Sequence, residues 1–394
     1  MNTCEMTENY VMKTYNRYPI SFIKGEGCYL YDENGKKYLD FLAGIAVCNL
    51  GHSNEEILKT ICEQAKTLIH TSNLFHIKPQ AKLAQLITGN SFGDKVFFCN
   101  SGAEANEGAI KLARRYAFEK GKKGYEIIAF KNSFHGRTFA SVSVTGQGKY
   151  NEGFGPMLSE VKFAKFNNID SVKEIISEKT CGIIVEPIQG EGGIIPAKEH
   201  FLKELRKLAT DFDTILIFDE VQTGIGRTGK LFAYQHYGIK PDVMTLAKAL
   251  GNGIPIGAIV TNEKTSTILK PGLHASTFGG NFLSTAAGVK VMEIISNPEF
   301  LKNVEEKGAY LKEKIEELQK ELPEAISEIR GKGLMVGTVL KINGKSLVQK
   351  ALKKGLIINV TGGNILRLVP PLTIEKEEID IGIELLKSTI KEIS

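Results

Sequence analysis

Charged residues follow two of the short apolar runs in the middle of the chain, at points where strands are predicted to end. Asp219 and Glu220 follow residues 215–218, and Lys248 follows residues 243–246 in a segment of small residues and glycines. A desolvated lysine has a lowered pKa and attacks carbonyl groups, so Lys248 is a candidate nucleophile. A buried carboxylate needs a partner. For Asp219 the candidates are a helix end or side-chain cation, a magnesium ion, or a protonated ring nitrogen.

A third apolar run, residues 96–98, is followed by the sequence pattern of a helix start. Ser101 and Glu104 have the spacing of a capping box, which predicts a helix from this point to about Lys120. Gly102 lets the backbone approach a ligand closely, and the free amides of the first helical turn suit a phosphate. A capped helix without a ligand fits the same pattern. A phosphate site, a carboxylate and an amine, each beyond a different strand, are together what pyridoxal phosphate requires.

A glycine-rich run offers a competing interpretation. Residues 224–230 match the phosphate-binding P-loop, but Leu231 stands where a Ser or Thr should bind the metal. The same glycines spell G-x-G-x-x-G, for which a dinucleotide fold needs an acidic residue at the end of the next strand. Asp242 has about the right spacing but precedes its strand. A nucleotide-hydrolysing enzyme and a non-catalytic small-molecule-binding protein remain the alternatives from other classes.

The arrangement of apolar runs predicts an α/β fold. Short runs that are apolar throughout alternate with amphipathic helices between about residues 96 and 262, which is typical of a mostly parallel sheet covered by helices on both faces. We therefore predict a large domain at residues 51–285 and a small α+β domain built from both chain ends, residues 1–50 and 286–394. The individual elements predicted are strands at 29–32, 37–42, 96–98, 127–130, 183–185, 215–218, 243–246 and 256–260, and helices at 54–69 and 298–322.

Composition excludes several classes of function. The 394 residues carry a net charge of +5 with Lys and Glu interleaved, so there is no basic stripe for nucleic acid. The six cysteines are scattered without a C-x-x-C pair, which argues against a metal knuckle or a disulfide framework. No apolar run approaches the roughly 18 residues that span a bilayer. The first twenty residues lack a signal-peptide core, so we expect a cytoplasmic protein.

At these residues the sequence resembles the class III aminotransferases, which have the type I pyridoxal-phosphate-dependent fold. The similarity extends from about Tyr15 to Pro371, and the matching segments are residues 100–107, 134–138, 186–193, 218–229 and 245–253. The resemblance implies pyridoxal 5'-phosphate as cofactor, with no metal, and a homodimer with shared active sites.

The resemblance also implies the cofactor contacts. The residues concerned are Gly102 and Ala103 at the phosphate, Phe134 and Val221 on the two ring faces, Asp219 at the ring nitrogen, Gln222 near the ring hydroxyl, Glu220 beside them, Lys248 bonded to the aldehyde, and Thr277 at the phosphate of the neighbouring subunit. Core packing of Phe134 and a polar turn at Thr277 are the simpler alternatives.

Two substrates are expected to use this site in turn. Arg137, with Ser276 nearby, would bind the α-carboxylate of the amino donor, and Arg367 the carboxylate beside the keto group of 2-oxoglutarate. Glu191 would neutralise Arg367 while the donor is bound, although a structural ion pair is the alternative. Ornithine aminotransferases usually have Tyr where this chain has Ile45, which favours an acylated donor, N-acetylornithine, and a step of arginine biosynthesis. Ornithine, succinylornithine and 4-aminobutyrate are the rival donors.

Overall fold

The computed structural model describes residues 1–393, which form a large α/β unit and smaller sheets built from the two chain ends. Its α-helices are α1 (Thr3–Tyr10), α2 (Ala43–Ala46), α3 (Glu55–Thr67), α4 (Lys78–Gly89), α5 (Gly102–Glu119), α6 (Phe139–Ser143), α7 (Asp170–Lys173), α8 (Glu199–Asp211), α9 (Phe282–Ile295), α10 (Pro298–Glu321), α11 (Gly344–Lys353) and α12 (Lys376–Lys391). Its strands are β1 (Phe22–Glu26), β2 (Tyr29–Asp32), β3 (Lys37–Asp40), β4 (Lys95–Cys99), β5 (Glu126–Phe130), β6 (Val161–Ala164), β7 (Thr180–Val185), β8 (Ile188–Gln189), β9 (Ile195–Pro196), β10 (Ile215–Asp219), β11 (Val243–Leu246), β12 (Gly257–Thr261), β13 (Ile326–Lys332), β14 (Met335–Leu340), β15 (Leu356–Ile357), β16 (Asn359–Thr361) and β17 (Ile365–Leu368). Three 3-10 turns lie at Gly148–Tyr150, Ala233–His236 and Lys248–Gly251.

The central sheet has seven strands in the order β4-β12-β11-β10-β7-β5-β6. Six strands run parallel, and β12 runs antiparallel between β4 and β11. The prediction of a mostly parallel sheet is confirmed. The sequence did not predict β6, an edge strand that is only half-buried and carries Lys162 among its apolar residues.

Helices cover both faces of this sheet, as predicted, because successive side chains of each strand point to opposite faces. In β10, Ile215 and Ile217 pack with the apolar side of α5, including Ala109. Leu216 and Phe218 pack on the other face with the helix α8 and its neighbours. The alternation continues into the residues that follow, so Asp219 points towards α5 and Glu220 points away from it.

The two chain ends meet in a second sheet of order β1-β2-β3-β15, in which β15 from the C-terminal part pairs in parallel with β3. A third sheet, β13-β14-β17-β16, packs with α10 and α11. This confirms a smaller unit formed from both ends of the chain, while the domain boundaries stay a prediction. Across residues 1–393, no helix is both long and apolar enough to cross a membrane.

The strand predicted at residues 37–42 ends two residues early, at Asp40. The Asp40 carboxylate accepts hydrogen bonds from the amides of Leu42 and Ala43, at 2.8 and 3.0 Å, and the chain turns there. Ala43 to Ala46 all have positive φ, including the β-branched Ile45 at 70°. This left-handed turn is strained for residues other than glycine.

The glycine-rich run is a packing loop that joins distant parts of the chain. Arg227, at its centre, is fully buried, and its guanidinium donates to the carbonyls of Leu334 and Pro370 at 2.9 and 2.6 Å. It also donates to the side chain of Asn49. The loop leads into the 3-10 turn Ala233–His236 rather than into the first turn of an α-helix, so it lacks the helix N-terminus of a nucleotide-binding P-loop.

Candidate active site

A cavity of about 400 Å³ lies at the carboxyl edge of the central sheet. This is where ligands bind in open α/β sheets. Its walls come from the segments after β4, β5, β7, β10 and β11, from Val47, and from the segment before β12, which reaches this edge because β12 runs antiparallel. The residues concerned are Val47, Asn100, Ser101, Gly102, Ala103, Asn106, Phe134, His135, Gly136, Arg137, Glu186, Glu191, Asp219, Val221, Gln222, Ala247, Lys248, Gly253, Ile254, Pro255 and Ile256.

Lys248 projects into this cavity from the end of β11. Its backbone is left-handed, with φ of 48°, a conformation that non-glycine residues adopt at a cost and that is common at functional sites. Burial lowers the pKa of the amine, and it outweighs the opposing charge of Glu191. Within residues 1–393, no hydrogen bond or close ion pair engages the amine. Lys248 therefore fits the predicted role of a nucleophilic amine.

Asp219 is held by groups from three other elements. Its Oδ2 accepts from Asn106 Nδ2 at 2.8 Å and from His135 Nδ1 at 2.7 Å, and its Oδ1 accepts from the Val221 amide at 3.0 Å. Thr245 fixes Asn106 in turn by donating to its Oδ1 at 2.8 Å. Burial acts to raise the pKa of Asp219, but the hydrogen bond and charge of His135 outweigh it and hold that pKa below its usual value.

The Asp219 carboxylate lines the cavity and can accept a further hydrogen bond from a ligand there. Among the described residues, Oδ1 has the Val221 amide as its one donor, so an oxygen lone pair is left for a ligand. A protonated ring nitrogen matches this acceptor. Among residues 1–393, no group of three or more His, Cys, Asp or Glu is arranged to hold a metal ion.

The residues predicted for the phosphate and for the two ring faces, Gly102, Ala103, Phe134 and Val221, line this same cavity. Helix α5 begins at Gly102, where Ser101 Oγ accepts from the Glu104 amide at 3.2 Å. A Cβ on Gly102 would lie 2.7 Å from the Val221 side chain, so glycine allows the helix start and Val221 to meet in one wall. Phe134 also lines the cavity. Helix amides, apolar walls, a carboxylate and an amine fit a phosphorylated aromatic aldehyde.

Arg367 lies behind Glu191, which separates it from the cavity. One guanidinium nitrogen pairs with Glu191 Oε1, Nε donates to Asn359 at 3.1 Å, and Gln222 lies at 3.5 Å. Thr361 donates to the other oxygen of Glu191 at 3.2 Å. Burial acts to raise the pKa of Glu191, but the charge of Arg367 prevails and that pKa is lowered. Glu191 is therefore an anion held against the guanidinium, and it lines the cavity.

Arg137 lies at the mouth of the cavity and is exposed. Its guanidinium carbon lies 3.8 Å from the centre of the Tyr150 ring and 5.6 Å from that of Phe134. Within residues 1–393 it has no carboxylate partner. Its donors are therefore free for a substrate.

Four predicted residues do not line the cavity: Arg367, which lies behind Glu191, and Glu220, Ser276 and Thr277. Glu220 points to the opposite face of the sheet, where its carboxylate accepts from the amides of Ala233 and Tyr234 at 2.6 and 2.8 Å. The prediction that it lies beside the cofactor has to be corrected on this geometry. Ser276 and Thr277 line a separate surface cavity, although Ser276 Oγ still accepts from Asn100 at 3.3 Å. A contact of Thr277 with a neighbouring subunit's cofactor stays a prediction.

The lining residues that sequence reasoning missed include Asn106, His135 and Glu186. Glu186 accepts from the amides of Phe134 and Gly190, both at 3.0 Å, so it ties two walls of the cavity together. Burial raises its pKa to about 7. All three lie inside the segments that resemble class III aminotransferases, which was the signal available for finding them.

Comparison with known proteins defines the class to which this fold and cavity belong. The family model described as "Aminotransferase class-III" matches residues 10–390. The chain belongs to the class-III aminotransferases, and pyridoxal phosphate is the cofactor that this family implies.

Two relatives that match almost the whole chain are both named acetylornithine aminotransferase. An acetylornithine aminotransferase from Caldanaerobacter subterraneus subsp. tengcongensis is 53% identical over 388 residues, covering 98% of both chains. One from Methanocaldococcus jannaschii is 48% identical and covers 100% of this chain and 98% of its own.

Solved structures agree on the fold. The N-acetylornithine aminotransferase of Stenotrophomonas maltophilia has a TM-score of 0.86 at 34% identity, with 98% of each chain covered. The ornithine aminotransferase of Toxoplasma gondii has a TM-score of 0.95 at 30% identity, with 100% of this chain and 96% of its own covered. Another structure of the latter enzyme reveals partial occupancy of PLP at the active site. Of these two enzymes, the ornithine aminotransferase has the higher TM-score, whereas the N-acetylornithine aminotransferase has the higher sequence identity.

Proposed function

We propose that this chain is a pyridoxal-phosphate-dependent enzyme that transfers the terminal amino group of N2-acetyl-L-ornithine to 2-oxoglutarate. The products are N-acetylglutamate 5-semialdehyde and glutamate, in arginine biosynthesis, and we propose a cytoplasmic location. One observation carries the reaction type: one cavity is lined by an ionised aspartate, by a glutamate paired with a buried arginine, and by a lysine amine that has no hydrogen-bond partner within residues 1–393. The choice of donor is supported by the name shared by relatives 45–53% identical to this chain.

The cofactor, when bound, supplies an aldehyde that accepts the amino group and a ring that withdraws electrons from the reacting carbon. Lys248 would hold the cofactor through its amine and, when that amine is free, would move the proton of the donor carbon that carries the nitrogen. Asp219 holds the proton on the ring nitrogen. Phe134 and Val221 keep the ring between two apolar surfaces.

The two substrates differ in where they carry negative charge near the reacting atom. The terminal carbon of the donor has no carboxylate beside it, so an uncovered Arg367 would leave a buried cation without a partner. Glu191 supplies that partner while the donor is bound. In the first half-reaction, Arg137 holds the distant carboxylate of the donor. In the second, the carboxylate next to the keto group of 2-oxoglutarate takes the place of Glu191 beside Arg367.

Replacing Glu191 with glutamine is expected to shift the enzyme towards glutamate as amino donor. Without the carboxylate, Arg367 attracts the α-carboxylate of glutamate more strongly and is left unpaired when N-acetylornithine binds. We expect the ratio of kcat/KM for glutamate to that for N-acetylornithine to rise about tenfold or more, since a hydrogen bond to a charged group contributes about 1.5–3 kcal/mol. Single-turnover kinetics with each donor measure this ratio.

The matched control is Glu328→Gln, which removes a carboxylate from an exposed pair with Arg330 at 3.3 Å. That variant should leave the ratio unchanged. Equal ratios in wild-type and Glu191→Gln enzymes would show that the pair is only structural.

The choice of donor is tested by the visible spectrum. Purified enzyme should absorb as a bound pyridoxal-phosphate chromophore, and N-acetylornithine should bleach it at a concentration at least about tenfold lower than ornithine. Ile45 gives no direct support for this preference, because it is 38% exposed and does not line the cavity, whereas Val47 does. Bleaching mainly by ornithine or 4-aminobutyrate would overturn the donor. A colourless protein that does not take up pyridoxal phosphate would overturn the reaction.

We further propose that the active unit is a homodimer. Large apolar side chains lie exposed beside Ser276 and Thr277: Phe278 at 61%, Leu74 at 88% and Phe75 at 66%. Apolar clusters of this kind mark protein interfaces, and a second copy seated here would bring Thr277 to its partner's site.

Phe278→Glu is expected to convert a dimer into a monomer and to abolish activity. Light scattering after size-exclusion chromatography measures the mass. Ile381→Glu, at another exposed apolar residue, on α12 (49% exposed), should remain dimeric and active. A wild-type monomer with full activity would contradict the shared active site.

A further inference from the structure

Tyr150 lies beside the candidate site but has no role in the mechanism described so far. It ends the 3-10 turn Gly148–Tyr150, and its amide donates to the Gln147 carbonyl at 3.0 Å. Its ring meets that of Phe134 edge to face, with centres 5.8 Å apart and planes at 84°. The Arg137 guanidinium carbon lies 3.8 Å from the ring centre. The ring is therefore in contact with a residue of the cofactor wall and with the cation at the cavity mouth.

Aromatic rings are the neighbours that restrict Arg137, because it has no anionic partner within residues 1–393. Within residues 1–393, no hydrogen bond or ion pair fixes its guanidinium, and the side chain is exposed. A free arginine of this kind samples many rotamers, and binding a carboxylate then costs side-chain entropy. A guanidinium placed on a ring is already restricted, and its N–H groups remain available to a carboxylate.

We propose that Tyr150 is a positioning residue that holds Arg137 ready for the α-carboxylate of the amino donor. This inference rests on the proposed function, since it takes Arg137 as the donor-binding cation. The ring rather than the hydroxyl carries the role, because the Tyr150 hydroxyl makes no hydrogen bond within the described residues. Lys149 also lies near this ring, at 4.7 Å, but it lines a neighbouring cavity with Gln147 and Glu191. Arg137 and Lys149 thus line two different cavities.

The test uses the holoenzyme and N-acetyl-L-norvaline, which keeps the acetyl group and the α-carboxylate of the donor but lacks the terminal amine and cannot react. Calorimetry measures its Kd for the wild type, Tyr150→Phe and Tyr150→Leu. We expect Tyr150→Leu, which keeps apolar volume but loses the ring face, to weaken binding about five- to tenfold. Tyr150→Phe should stay within about twofold. In an Arg137→Ala background, Tyr150→Leu should add no further loss, because the two residues act as a pair.

A second readout separates positioning from general damage. Pentylamine has an amine but no carboxylate, so the concentration at which it bleaches the cofactor absorption should be the same in wild-type and Tyr150→Leu enzymes. Unchanged N-acetylnorvaline binding in Tyr150→Leu, an equal loss in Tyr150→Phe, or an equal loss for pentylamine would overturn the role of Tyr150 alone. Failure of the wild type to bind N-acetylnorvaline, or full binding by Arg137→Ala, would overturn the proposed donor site together with it.

Discussion

Lys248→Ala is expected to abolish transamination, with kcat reduced at least about 10³-fold. The amine is the group that bonds to the cofactor and then moves the proton of the donor carbon, and general acid–base catalysis alone contributes about 10²–10⁴-fold. Because burial lowers its pKa, more of the amine is unprotonated near neutral pH than for a surface lysine. Steady-state assays with N-acetylornithine and 2-oxoglutarate measure the loss.

Two controls accompany this variant. Lys230→Ala removes an exposed lysine of the glycine-rich loop and should keep full activity. Lys248→Arg keeps a positive charge but offers no nucleophilic amine, so it should be as inactive as the alanine variant. Substantial activity in either Lys248 variant would refute the proposed mechanism. Melting temperatures near that of the wild type would show that the losses are chemical.

Asp219→Asn is expected to lower kcat about 10³-fold with a smaller change in KM. The substitution keeps the size of the side chain but removes the negative charge that stabilises a protonated ring nitrogen, and removing one partner of a buried charge pair costs about 3–5 kcal/mol. It also places an amide nitrogen among three groups that donate hydrogen bonds to Asp219, from Asn106, His135 and Val221. Single-turnover bleaching by N-acetylornithine measures the chemical step directly.

Glu220→Gln is the matched control, one residue further along the same strand end. Its side chain faces Ala233 and Tyr234 on the other side of the sheet, so we expect kcat within about threefold of the wild type. A loss in Glu220→Gln as large as that in Asp219→Asn would contradict the separation of the two carboxylates. The pair of variants thus tests the mechanism and the corrected position of Glu220 together.

The difference between these two carboxylates shows what the sequence pattern could predict. Apolar runs located β10 and the edge at which Asp219 and Lys248 meet, because hydrophobic patterning reports burial and parallel strands end at one edge. The direction of Glu220 followed from the same alternation of side chains, but it required knowing which face carried the cavity. The face that carries the cavity is set by where α5 packs in the folded chain, which a local sequence pattern does not show.

Other features lay beyond local patterns for similar reasons. The role of Asn106 depends on a side-chain contact with Asp219 across 113 residues, and no spacing rule encodes such a contact. The antiparallel direction of β12 brings Gly253 and Ile256 to the cavity, yet an apolar run looks the same in either direction. The early end of β3 depends on Asp40 binding backbone amides, which competes with strand propensity.

The buried guanidinium of Arg227 has a consequence for how the molecule unfolds. Its three acceptors belong to the N-terminal segment at Asn49 and the C-terminal segments at Leu334 and Pro370, while Arg227 itself belongs to the large unit. Separating the smaller unit from the large one would break all three hydrogen bonds of this buried guanidinium at once. We therefore expect the two units to unfold together, in a single cooperative transition, rather than the smaller unit to detach first.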